Sequence, residues 1–209
     1  MLKTLLQLNS SIFSAAGEST QLADAFVSTW HASHPNGKVV LRDLARDPIP
    51  HLDGERFQAF LAKPEDRTPA QKAAADLSDA LIDEIKRAGL VVIGLPMYNF
   101  GVPSTLKAYF DHIARAGLTF RYTDKGAEGL LKGKKAYVFA TRGGKYLGTP
   151  MEHQTVFIKQ FLNFVGIGDI EFIYAEGLAM GDASREAGLN SARRALERLQ
   201  DRELTPIAA

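Results

Sequence analysis

Along this chain, short unbroken apolar runs alternate with longer stretches in which apolar residues return every three or four positions. The runs fall at Leu5 to Leu8, Val39 to Leu41, Leu90 to Leu95, Ala136 to Ala140 and Ile170 to Tyr174. Runs so short, with no polar alternation, predict strands buried on both faces. Between the first two, Leu22, Ala23, Phe26, Val27 and Trp30 form one helical stripe, with Ser19 or Thr20 available as a cap and Pro35-Asn36-Gly37 as a stop. A second helix is predicted over Pro69 to Arg87, with Ala70, Ala73, Ala74, Leu77, Leu81 and Ile85 inward. Others are predicted over Ser104 to Ala116, with Leu106, Tyr109, Phe110 and Ile113 inward, near Glu152 to Phe164, and over Ser184 to Arg202.

Strict alternation of strand and helix implies a parallel sheet whose right-handed crossovers cover both faces. About five such strands point to a flavodoxin-like, doubly wound α/β sheet in the order 2-1-3-4-5. The whole chain, residues 1–209, then reads as one domain with insertions near 45–68 and 118–133. Within the second insertion, Thr119-Phe120-Arg121-Tyr122-Thr123 reads as a hairpin arm.

Composition narrows the function classes. A formal net charge of +1 argues against nucleic acid or an anionic membrane surface as partner, because both need clustered excess cations. With no cysteine, disulfides, thiolate metal sites and thiol nucleophiles are excluded. The five histidines lack ligand spacing, so no metal site is expected, and His31 and His34 read as solvent-facing. The apolar N-terminal stretch gives way at Asn9-Ser10-Ser11, too early for a secretion signal, and no later run is long enough to span a bilayer; a cytoplasmic protein is expected. No G-x-S-x-G elbow supports a hydrolase.

In open parallel sheets, ligands sit beyond the carboxyl ends of the strands where the strand order reverses. Three unusual segments follow three such ends. The first, Asn9 to Ser19, is rich in hydroxyls and feeds a helix N-terminus, which suits a phosphate; Ser10 and Ser19 are its candidate contacts, although cap and turn serines look the same. It carries neither G-x-G-x-x-G nor G-x-x-x-x-G-K-[ST]. The second, Pro96-Met97-Tyr98-Asn99-Phe100-Gly101-Val102-Pro103, sets a stiffened backbone where a planar ligand can approach, and Met97, Tyr98 and Phe100 fit either ring contact or packing. The third, Thr141-Arg142-Gly143-Gly144, fits a nest of N–H donors for a flavin carbonyl, or a plain glycine turn.

These three segments together closely resemble the FMN-dependent NADH-azoreductase family of bacteria. The likeness also includes Asp47-Pro48-Ile49-Pro50, Leu52-Asp53-Gly54-Glu55, the stretch Arg115 to Tyr122, Phe161 to Ile167 and Ala175-Glu176-Gly177. It implies a homodimer with FMN at two interface sites, NADH or NADPH as donor, and quinones or aromatic azo compounds as acceptors. Carried over by position, the FMN contacts are Ser10, Gly17, Glu18, Ser19, Met97, Tyr98, Asn99, Phe100, Thr141, Arg142, Gly143 and Gly144, while Phe120, Tyr122 and Phe164 wall the substrate side. Phe164 also fits the core of a helix. Two departures stand out. Gly17-Glu18-Ser19 replaces the family's Ser-x-Ser, which removes a phosphate hydroxyl, sets a carboxylate nearby and opens the way to weaker FMN retention. Thr141 replaces serine and keeps the hydroxyl.

The chemistry implied is ping-pong hydride transfer through flavin N5, with no side chain as catalytic acid or base. Two other readings compete. A flavodoxin-type electron carrier binds FMN without turning over a small molecule, and such carriers usually expose an acidic face, which this charge balance does not suggest. A receiver-like regulatory module needs an aspartate where the third strand ends in Leu95-Pro96-Met97.

Overall fold

A computed structural model of the chain describes residues 4–204. Its centre is a five-stranded sheet of β1 (Thr4–Asn9), β2 (Lys38–Asp43), β3 (Leu90–Pro96), β6 (Lys135–Thr141) and β7 (Asp169–Ala175) in the order β2-β1-β3-β6-β7. All four pairings are parallel, and Leu6 stands beside Val40 on one side and Val91 on the other. This is the flavodoxin-like order anticipated from the strand–helix alternation. A separate antiparallel pair, β4 (Phe120–Thr123) with β5 (Gly126–Gly129), forms the hairpin expected after residue 118.

Neighbouring residues of each strand feed opposite cores, as the pleat requires. Leu5, Val92, Tyr137, Phe139 and Ile173 pack beneath α1 (Glu18–Ser33) and α6 (Asp182–Leu204). Leu6, Leu8, Val91, Ile93 and Val138 pack beneath α3 (Pro69–Arg87), α4 (Ser104–Ile113) and α5 (Gln154–Val165). Phe26 of α1 shows the scale of this burial: its ring lies 5.0 Å from Tyr137 and 5.9 Å from Phe139. Burying it contributes about 3 kcal/mol. Polar Gln7, inside β1, is tolerated because its amide donates to Asp24 at 2.6 Å and to Asn9 at 3.1 Å. Among the described residues no helix is long and apolar enough to cross a membrane.

Several local expectations need correction. Neither Ser19 nor Thr20 caps α1; the N-cap is Gly17, and both hydroxyl residues lie inside the first turn. On α3 the buried positions are Ala75, Ser78, Leu81, Ile82 and Ile85, while Ala70 and Ala73 face outward. The stripe was misphased because its central member is polar: the Ser78 hydroxyl donates to the His112 carbonyl at 2.6 Å and accepts from Arg115 at 2.9 Å. Helix α4 stops at Ile113 rather than Ala116, where the Thr119 hydroxyl takes the Ile113 carbonyl at 2.5 Å. His34 is half-buried, its ring stacked on Trp30 at 4.8 Å.

The first insertion contains α2 (Gly54–Leu61), capped by Asp53, whose carboxylate accepts from the Arg56 N–H at 2.8 Å. It is fastened to α4 by His112, whose Nε2 lies 3.0 Å from the Pro50 carbonyl and whose ring meets Phe60 edge-on. Arg115 covers the same Phe60 ring at 4.5 Å. His112 is fully buried, and its Nδ1 has no partner among the described residues. Burial pushes its pKa below the ordinary 6.5; the Pro50 carbonyl, Asp111 and Asp53 oppose that shift and Arg56 adds to it. The unfolded chain then takes up a proton near pH 6.5 that the folded chain refuses. Stability is therefore expected to be highest above pH 6.5 and to fall as the pH drops from there toward the lower folded value. Urea unfolding midpoints across that window check this, and His112→Gln is expected to flatten this part of the profile.

Candidate functional site

The sheet order sets β1, β3 and β6 side by side, so the segments leaving their carboxyl ends share one rim. Gly94 of β3 allows the first turn of α1 to lie against the sheet: a Cβ there would meet the Ser19 carbonyl at 3.1 Å and the Asn9 amide oxygen at 3.3 Å. At that turn the N-cap Gly17 supplies no side-chain acceptor, so the opening N–H groups of α1 have no side-chain cap. The hydroxyls of Ser19 and Thr20 are also buried and unpartnered among the described residues. Buried donors without acceptors at a helix N-terminus fit an anion, and the dipole there favours negative charge.

Other members of the first segment are engaged differently. Ser10, fully buried, donates its hydroxyl to the Gly94 carbonyl at 2.6 Å. Ser11 lies so close to Gly17 that a Cβ at Gly17 would overlap its Oγ. Glu18, first residue of α1, is ion-paired to Arg185 of α6.

The second segment turns back sharply. Tyr98 and Gly101 exchange backbone hydrogen bonds at 3.3 and 3.0 Å, and the residues between them, Asn99 and Phe100, have φ of +49° and +65°. Two successive left-handed residues describe a type I′ turn, a conformation that asparagine adopts more readily than other side-chain-bearing residues and that is strained for phenylalanine. The surroundings hold it in place. Met97 N–H donates to the Thr141 carbonyl at 2.9 Å, and Gln154 donates its amide to the Pro96 carbonyl at 2.8 Å and the Gly101 carbonyl at 3.1 Å. The Tyr98 hydroxyl accepts from the Ile12 N–H at 3.2 Å and lies 3.4 Å from Ser11 Oγ, joining the first two segments. A cleft of about 250 Å³ between them is lined by Ile12, Tyr98, Asn99, Val102 and Pro103. A larger cavity, about 490 Å³, lies between α2 and α3 and is lined by none of these segments.

In the third segment the carbonyls of Arg142, Gly143 and Gly144 accept from Leu178 at 3.1 Å, Ala179 at 2.9 Å and Gly177 at 2.9 Å. In a trans peptide the N–H points opposite to the carbonyl, so the N–H groups of Gly143, Gly144 and Lys145 turn away from residues 177–179. The Arg142 side chain is engaged in the interior. Its guanidinium is fully buried and bonded to Glu152 at 2.5 Å, Thr155 at 3.0 Å and Glu176 at 3.1 Å, over the Tyr174 ring at 4.9 Å. Glu176 Oε1 also accepts from the Tyr146 and Leu147 N–H groups, at 2.8 and 3.0 Å. Burial pushes the Tyr174 phenol above its ordinary range, while its hydrogen bond to Thr155 pulls the other way.

Phe120, Tyr122 and Phe164 form their own cluster: Phe120 lies 4.4 Å from Phe164 and 5.5 Å from Tyr122. Phe120 is buried as an anchor, whereas Tyr122 is exposed. Among the described residues, no ring contact links this cluster to the three segments of the same chain. Sequence reasoning overlooked Gln154, Ser11 and Glu176 as site-building residues. Only Glu176, a carboxylate just past a strand end, left a signal that could have found it.

The family model described as flavodoxin-like fold matches residues 3–199. An FMN-dependent NADH:quinone oxidoreductase of Cellvibrio japonicus is 52% identical over 194 residues, covering 93% of this chain and 96% of the relative. One from Burkholderia pseudomallei is 52% identical, covering 92% and 98%. Among solved structures, an azoreductase from Bacillus anthracis superposes with a TM-score of 0.88 at 25% identity, covering 96% of this chain and all of that one. An FMN-dependent NADH-azoreductase from the same species, in complex with FMN, gives 0.83 at 26% identity, covering 94% and 99%. By sheet order, by sequence across nearly its full length and by superposition, the chain belongs to the flavodoxin-like fold family that includes the FMN-dependent NADH:quinone oxidoreductases.

Proposed function

We propose that this protein is an FMN-dependent NAD(P)H oxidoreductase that reduces quinones and aromatic azo compounds. The observation that carries the reading is the meeting, beyond neighbouring strands, of a helix N-terminus with no side-chain cap and with hydroxyls buried and unpartnered among the described residues, a fixed type I′ turn, and three successive N–H groups after β6 turned away from residues 177–179. The first suits a phosphate and the other two suit the edge of a flat, carbonyl-bearing ring. FMN, when bound, would supply two-electron hydride chemistry at its N5 between a nicotinamide donor and an acceptor, in ping-pong order.

The chain's own residues bind and orient. Ser19, Thr20 and the first N–H groups of α1 would hold the phosphate. Met97 to Phe100 would set the ring's position, and Gly143 and Gly144 would face its pyrimidine edge, where fixed donors favour the reduced, more negative state. Ser10 would donate its hydroxyl to the ligand only by releasing the Gly94 carbonyl. Glu18 contributes its N–H, and Thr141 and Arg142 contribute backbone.

A homodimer accounts for two further observations. Among the described residues, the aromatic cluster of Phe120, Tyr122 and Phe164 has no ring contact with the three segments of its own chain. In addition, Ile12, Phe13, Leu147, Met151 and Val156 are apolar yet exposed in a single chain. A second copy would cover them and lend its aromatics to the acceptor space. We place the protein in the cytoplasm, in keeping with its lack of cysteine.

The test is anaerobic titration of the purified, FMN-loaded protein with NADH and with NADPH. Flavin bands are expected to bleach with at least one donor and to return on adding a quinone. Flavin that stays oxidised under excess of both donors would leave only an electron-carrier role.

A further inference from the structure

The carboxylate of Glu18 sits at the one place where an FMN site gains least from negative charge, the first residue of the helix that would receive the phosphate. Three observations bear on how the chain accommodates it. Gly17 cannot carry the extra hydroxyl of a serine without displacing Ser11, whose side chain already fills that space. Ser19 and Thr20 keep buried, unpartnered hydroxyls in the same turn, so the turn is built to receive acceptors. Arg185, on α6 and 167 positions away in sequence, closes an ion pair with Glu18; their side chains are 43% and 24% exposed.

We propose that Arg185 is an affinity-determining residue of the FMN site: by pairing with Glu18 it cancels a negative charge that would otherwise repel the phosphate. This rests on the FMN reading above. The phosphate carries nearly two negative charges at neutral pH, so an unpaired carboxylate within one helical turn opposes it directly. A half-exposed pair is screened by salt, and the effect is therefore graded rather than absolute. The consequence is selective. A flavin without phosphate, riboflavin, has no charge for Glu18 to repel, so Arg185 discriminates between the two ligands without touching the ring.

The experiment is flavin-fluorescence titration of the apo form of the full chain with FMN and with riboflavin, in low and high salt. In low salt, Arg185→Ala is expected to weaken FMN about fivefold to tenfold, and Glu18→Gln to tighten it about threefold or more. The double variant is expected to return within about twofold of the parent protein, and Arg185→Lys to retain parental affinity. Riboflavin affinity should stay within about twofold throughout, and the FMN differences should shrink in high salt. Equal weakening of both flavins in Arg185→Ala would mean a structural role and overturn the proposal, as would unchanged FMN affinity in that variant. A parent protein that binds neither flavin would instead overturn the FMN reading itself, and this inference with it.

Discussion

Arg142→Ala is expected to lower the unfolding free energy by about 3–5 kcal/mol, because it strands two largely buried carboxylates. The guanidinium is wholly buried, and Glu152 and Glu176, which it neutralises, are 8% and 17% exposed. Neither carboxylate can recover full hydration, and each would face the other across the space the cation left. The Tyr174 ring loses its cationic cover at the same time. For a chain of 209 residues the loss corresponds to a melting point about 10 °C lower. Urea unfolding followed by circular dichroism measures it directly. Glu176→Gln is expected to do much less, since an amide oxygen still accepts from the Tyr146 and Leu147 N–H groups. A loss below about 1 kcal/mol for Arg142→Ala would show that the buried cation is dispensable.

The largest effect on ligand binding is expected from Ser19→Asp. This residue is fully buried in the first turn of α1, where its hydroxyl has no partner among the described residues. The helix dipole offsets part of the cost of burying an aspartate there, and circular dichroism establishes that the variant is folded before it is titrated. The aspartate also occupies the place of the phosphate with a like charge. At an effective dielectric near 20, two charges about 4 Å apart repel by about 4 kcal/mol, and even most of that corresponds to a loss of FMN affinity on the order of a hundredfold. Titration with FMN and riboflavin reads the difference, which should be confined to FMN. Unchanged FMN affinity with a folded chain would move the phosphate elsewhere.

The sheet was legible in the sequence because its central strands β1, β3 and β6 are buried on both faces and appear as unbroken apolar runs, while the edge strands β2 and β7 carry apolar runs although they are only partly buried. Helix α1 was legible for the same reason, with all five residues of its stripe buried. Elements on the periphery were harder. Helix α2 is short and buries only Ala59, with Phe57 and Leu61 exposed, so its apolar residues form no clear stripe. The face of α3 was misjudged because Ser78 is buried through hydrogen bonds, which hydrophobic periodicity does not register.

The site was legible as a set of loops, since strand order alone makes those that follow β1, β3 and β6 neighbours. Side-chain direction was not. A sequence containing Arg-Gly-Gly gives no indication that the arginine side chain is buried against Glu152 while the glycine carbonyls are taken by residues 177–179. Nor does Gln154, one residue in a helix, announce that its amide fastens both ends of a turn more than fifty positions earlier.

The bond network of the Tyr98 hydroxyl carries one last implication. By engaging Ile12 and approaching Ser11, it joins the hydroxyl-rich stretch before α1 to the backward turn after β3. The separation between the two is thus settled before any ligand arrives, and the rim works as a ruler. A flavin whose phosphate lies farther from or nearer to its ring than in FMN must break that tie to be held at both ends.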